Sequence, residues 1–169
     1  MPEKEVIERA REDAREGKSP STQAGEFVRE EMEHIRKGKH GARSPQQAIA
    51  IGLSKARRAG VKLPPPRKGK TSERTRRQAK RELRKGRSAR SHRTSRVRSR
   101  ATTSALRREG RSAASRQSLS RHARSAARRR TPSERHRAAE KAVHTKGKEG
   151  LRREARKAAN TRKRRSSRH

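Results

Sequence analysis

Arginine is the residue type with the clearest chemistry in this chain. Its guanidinium is planar, always charged and forked, so it pairs with two phosphate oxygens at once. Residues 64–169 hold 30 Arg and 9 Lys against 7 Asp/Glu, a net charge of +32. Residues 1–63 hold 14 Lys/Arg and 10 Asp/Glu, a net charge of +4. A near-balanced head joined to a strongly basic tail is the pattern of a nucleic-acid arm. Duplex DNA carries one charge per ~1.7 Å, so a tail of +32 matches roughly 54 Å, or about 16 base pairs, if every charge engages.

The phosphate contacts are expected from the Arg and Lys of 67–100, 107–130 and 152–168. In the first group these are Arg74, Arg76, Arg77, Lys80, Arg81, Arg84, Lys85, Arg87 and Arg90. The second group holds Arg107, Arg108, Arg111, Arg121, Arg124, Arg128, Arg129 and Arg130. The third holds Arg152, Arg153, Arg156, Arg162, Lys163, Arg164 and Arg165. The bland alternative is a solvated, merely solubilising tail, but so one-sided a charge condenses onto any nucleic acid nearby. The tail has no aromatic residue to stack on bases, which counts against specific single-strand recognition.

Other chemistry is sparse. Helix 45–59 carries Gln47, Ser54 and Arg58 outward and follows a glycine-containing connection, an arrangement like a base-reading helix-turn-helix. The 38–44 connection is longer than that motif's tight turn, and an ordinary solvated face is the competing reading. The seven histidines, His34, His40, His92, His122, His136, His144 and His169, have no paired metal spacing and no cysteine partner, so no metal is expected. There is no nucleophile elbow and no glycine-rich phosphate loop, so neither an enzyme nor a cofactor is expected. Arg-Ser pairs in the tail are candidate phosphorylation sites that would weaken anion binding, and chance explains them equally well.

The elements that position these residues follow from punctuation and periodicity. Ser44 caps a helix, Pro45 takes its first position, Gln47 completes a capping box and Gly60 supplies a left-handed stop. Ser19-Pro20 opens an earlier helix in the same style, and Gly17 and Gly38 end helices. Three amphipathic helices are expected at about 4–16, 20–37 and 45–59. Their stripes are Val6, Ile7, Ala10 and Ala14; Ala24, Phe27, Val28, Met32 and Ile35; and Ala48, Ile49, Gly52, Leu53 and Ala56.

Together they form a small all-α domain, residues 1–63, at the margin of independent stability, where self-association into a homo-oligomer would supply missing burial. A Pro-rich linker occupies 64–71. The remainder, 72–169, reads as a long basic tail, disordered or with isolated helices near 72–85, 102–109, 112–130, 132–144 and 151–163. Residues 87–100 are expected to lack structure. None of these segments shows an apolar stripe to bury, which fits a chain with 24% apolar residues, one Phe and a net charge of +36. Thr131-Pro132-Ser133-Glu134 repeats the capping pattern, making 132–144 the best helix of the tail.

Lys39-His40-Gly41 followed by Gln47-Ala48-Ile49-Ala50-Ile51-Gly52-Leu53-Ser54-Lys55-Ala56 resembles a group of small, basic bacterial proteins. They share a Lys/Gly-rich turn before a Gln-Ala-Ile-Ala-Ile helix and are of uncharacterised function, though often described as DNA-binding. The resemblance covers about 20–63, implies a nucleoid-associated setting and carries no catalytic residue. The tail is similar in composition to linker-histone and protamine tails, though Arg replaces much of the Lys. The absence of cysteine, of an apolar leader and of any apolar run longer than residues 48–51 leads to the expectation of a soluble cytoplasmic protein that does not enter membranes. Sequence-independent binding and compaction of double-stranded DNA is the function expected. The alternatives are RNA or ribosome association, and a protein-interaction adaptor localised by its tail.

Overall fold

Cap residues and proline starts fix the helices of the computed structural model, which describes residues 2–88 and 95–166. In order they are α1 (Lys4–Arg15), α2 (Pro20–Arg36), α3 (Pro45–Arg58), α4 (Glu73–Arg87) and α5 (Arg96–Arg108), then a single 3₁₀ turn (Ser112–Ala114), α6 (Arg116–Arg128) and α7 (Pro132–Ser166). Ser44 Oγ accepts from the Gln47 N–H at 3.2 Å, and Gln47 Oε1 accepts from the Arg43 N–H at 2.8 Å, one residue before the cap. At α7, Thr131 Oγ1 accepts from the Glu134 N–H at 3.2 Å, and Glu134 Oε2 accepts from the Thr131 N–H at 3.0 Å, so both halves of the box close. Ser19 stands at the cap of α2, but its hydroxyl meets Ser21 and Thr22 side chains rather than a backbone N–H.

The chain divides into two compact units, one ending at Ala123 and the other beginning at Arg124. In the first, Val6, Ala10, Ala24, Phe27, Ala56 and Val61 form one buried cluster. Met32, Ile35, Ala42, Ala48, Ala113 and Ala114 form a second. α2 and α3 cross at Gly52, where a Cβ would stand 2.7 Å from Val28 Cα, so a glycine lets the two backbones meet. The start of α1 is tied down by Glu3, whose N–H donates to Glu30 Oε1 at 2.7 Å. Hydrogen bonds from Lys39 and then His34 hold the Glu3 carboxyl down at about 2.

The described chain is all-α, but the expectation of a disordered tail or isolated helices is corrected. α4 packs along α3, burying Ala79 and Glu82, and a Cβ at Gly86 would overlap the carbonyl oxygen of Arg57. The segment does lack an apolar stripe, but it docks all the same, through small residues and one satisfied acid. Glu82 Oε1 accepts from Ser54 Oγ at 2.5 Å and from Gln78 Nε2 at 2.9 Å. Farther along, Ala113 and Ala114 are fully buried in the second cluster, and Arg36 Nε donates to the Ala114 carbonyl at 3.0 Å.

The segment boundaries move as well. α5 begins at Arg96, so 96–100 are helical, whereas 89–94 of the stretch expected to lack structure lie outside the described residues. The run 112–130 is broken at Ser115, whose ψ of 149° is extended. Segments 132–144 and 151–163 belong to α7, which bends at Gly147 with φ 62° and ψ 178°.

Candidate nucleic-acid interface

The first basic helix, α4, has a packed side and an open side. On α4, Ala79, Glu82 and Gly86 turn toward α3, and at 100° per residue Arg77, Arg81 and Arg84 fall on the opposite side, flanked by Arg74 and Lys80. All five are exposed, as are Lys85 and Arg87 at the end of the helix. Arg76 is half-buried, with Nη1 at 3.6 Å from Glu73. Arg81 donates to Gln78 Oε1 at 2.6 Å, which steadies one guanidinium of the outer face.

α5 carries a different surface. Arg100, Thr103, Ser104, Arg107 and Arg108 recur at helical spacing and, with Ser99, line an open groove. Guanidinium groups alternating with hydroxyls are the side chains that hold phosphate oxygens in nucleic-acid backbones. The end of α5 is held by the turn after α2: Gly41 N–H donates to the Leu106 carbonyl at 2.8 Å, and Ala42 N–H to the Gly110 carbonyl at 3.0 Å. That turn also brings Arg43, with Nη2 3.4 Å from Glu109, toward the end of α5. Arg111 lies against Gly38.

On α6, Arg121, Arg124 and Arg128 share a face at three- and four-residue spacing, followed by exposed Arg129 and Arg130. On α7, Arg152, Arg153, Arg156, Arg162, Lys163 and Arg164 are exposed. Arg90 and the side chain of Arg165 lie outside the described residues.

The three residues considered for base reading are placed differently. Gln47 closes the cap of α3, Ser54 donates to Glu82 under α4, and Arg58 is exposed with Nε donating to the Ser54 carbonyl at 3.3 Å. The structure does not bring them together on an open face, because α4 covers the Ser54 side of α3. Arg57, next to Arg58, is buried. It donates to the Leu63 and Pro64 carbonyls at 3.3 and 3.5 Å and faces Glu82 at 4.0 Å. Burial lowers its pKa, partly opposed by Glu82.

Sequence reasoning missed Ser99, Thr103 and Ser104 of the α5 groove. The spacing of 100, 103, 104, 107 and 108 is the available signal, hidden by treating 87–100 as unstructured. Among the described residues, no helix is long and apolar enough to cross a membrane.

Comparison with known proteins reaches the middle of the first unit only. Residues 15–68, which hold α2, α3 and the proline spacer, match a family of unknown function (DUF6496). The chain matches no curated protein and no solved structure.

Proposed function

We propose that the protein binds double-stranded DNA without sequence preference, by neutralising its phosphates from the outer faces of α4–α7. The observation that carries this reading is the division of labour on α4. Its small residues and Glu82 are used for packing, and Arg77, Arg81 and Arg84 stand in solvent opposite them. The hydroxyl-and-arginine groove of α5 adds backbone-type contacts, and the exposed arginines of α6 and α7 add further positive charge. Charge of this kind supplies affinity and register and carries no base information. The engagement of Gln47 in a helix cap and of Ser54 with Glu82 agrees with a binder that does not read bases.

Competition between a duplex DNA and a structured RNA of equal length, for the full chain at several salt concentrations, tests the proposal. Duplex DNA is expected to displace the RNA at every salt. RNA displacing duplex DNA at equal concentration would move the protein to RNA or ribosome association.

A further inference from the structure

The side chain of Glu31 is fully buried, and neither of its carboxylate oxygens receives a hydrogen bond of acceptable geometry among the described residues. Two charged or chargeable groups nevertheless stand close to it. Lys55 Nζ lies 2.7 Å from Oε2, and His40 Nε2 lies 3.1 Å from Oε1. The ammonium accounts for one oxygen as an ion pair. The histidine contact is harder to account for.

The other ring nitrogen of His40, Nδ1, is 3.0 Å from the carbonyl oxygen of Gly41. A carbonyl oxygen only accepts, so Nδ1 carries the hydrogen. In the neutral ring Nε2 then holds a lone pair, and it faces the buried Glu31 oxygen. Two acceptors at that distance inside a protein need a cation between them, which is either a proton, held by the ring or by the carboxyl, or a metal ion.

A third group makes a metal ion the reading to test. His34 lies one turn after Glu31 on α2, and the Gly38 stop folds the chain back so that the His34 and His40 ring centroids are 6.1 Å apart. Glu31, His34 and His40 each offer a ligand atom, and these atoms all lie within 4.8 Å of one another. Zinc bonds of ~2.0–2.1 Å in tetrahedral array put neighbouring ligand atoms about 3.3 Å apart, close to the Glu31–His40 separation of 3.1 Å. The bond from Nδ1 to the Gly41 carbonyl is the outer contact that fixes the tautomer of a metal-bound imidazole. Glu3 Oε1, at 3.0 Å from His34 Nε2, stands in the matching position for the second ring. Glu3 and Glu30 also group with His34, but Lys39 and the Glu3 N–H already satisfy their oxygens, so that trio has no atom awaiting a cation.

We propose that Glu31, His34 and His40 bind one divalent transition-metal ion of the Zn²⁺ class, with a fourth position left for water. Two imidazoles and one carboxylate suit Zn²⁺ and its neighbours rather than Mg²⁺ or Ca²⁺, which take oxygen ligands. The ion joins α2 to the turn whose Gly41 and Ala42 N–H groups hold the end of α5. It therefore stabilises the attachment of the first basic helices to the head.

The experiment uses the untagged full chain, stripped with a chelator and titrated with ZnCl₂ by calorimetry and with CoCl₂ by visible absorption. The expected result is one equivalent of Zn²⁺ bound, a tetrahedral Co²⁺ spectrum and a higher Tm. His34→Ala and His40→Ala should each weaken binding beyond the ~10–100-fold that follows loss of an outer-shell partner. His136→Ala and His144→Ala should leave it unchanged. On the unaltered chain, histidine ring ¹H–¹⁵N spectra should show Zn²⁺ moving two rings, which keeps the test independent of any variant's folding. The proposal is overturned if no stoichiometric binding occurs, if binding survives loss of both His34 and His40, or if Zn²⁺ spreads over exposed histidines. A His40 ring protonated at both nitrogens and indifferent to Zn²⁺ would show that a proton, not a metal, bridges it to Glu31.

Discussion

α4 and α7 are written in nearly the same residue types, yet they are held in different ways. α4 buries Ala79 and Glu82 against α3 and sets Gly86 where no side chain fits. Among the described residues of α7 no side chain is buried. Its order rests on the Thr131–Glu134 capping box and on local pairs such as His136–Glu140 at 3.5 Å and Glu154–Lys157 at 4.0 Å. Such pairs contribute about 0.2–0.5 kcal/mol each. The contrast shows that composition does not decide whether a basic segment docks. Two or three small residues at the right helical spacing do, and they leave the opposite face free for phosphate.

The largest effect expected from this contrast is on binding. Replacing Arg152, Arg153, Arg156, Arg162 and Lys163 of α7 by Gln should lower the slope of log affinity against log salt by about four, with the urea midpoint of the first unit unchanged. The same salt series and a urea melt check both halves, and a large loss of stability in the first unit would contradict the prediction. Next in size is Glu82→Ala, which leaves Arg57 buried with carbonyls alone and should cost about 3 kcal/mol by urea unfolding. The corresponding change on α7, Glu154→Ala at an exposed position, should stay within about 0.5 kcal/mol.

Gly86→Val forces a side chain into the Arg57 carbonyl and should cost about 1–3 kcal/mol, read as faster amide exchange confined to α4. The removal of caps costs less than either change at the α3–α4 contact. Ser44→Ala and Thr131→Ala each delete a cap worth about 1 kcal/mol. The first should lower the urea midpoint, and the second should lower only the helical signal in circular dichroism, because α7 has no buried side chain to lose.

Much of this division was readable in the sequence. Ser44-Pro45, Thr131-Pro132 and the glycines at 17, 38 and 60 mark helix ends that the structure reproduces, and the stripes of α1–α3 supply most of the first buried cluster and half of the second. Such signals are local, carried by residues a few positions apart. The docking of α4 was not readable, because Ala79, Glu82 and Gly86 form no apolar stripe and matter only once α3 presents Ser54 and the Arg57 carbonyl to them. Ala113 and Ala114 stand in a run with no apolar stripe, and their burial depends on Met32, Ile35 and Ala48 far back in the chain. His34 and His40 lack metal-type spacing along the sequence, and the turn at Gly38 is what brings their rings together. In each case the missing information was a tertiary neighbour.

The most direct test of the central claim is the dissociation constant of the full chain for two duplexes of unrelated sequence and equal length, measured from low to high salt. The account predicts equal affinities at every salt, with log affinity falling linearly and steeply as log salt rises. A shallow slope, or a preference for one duplex that persists at high salt, would contradict it.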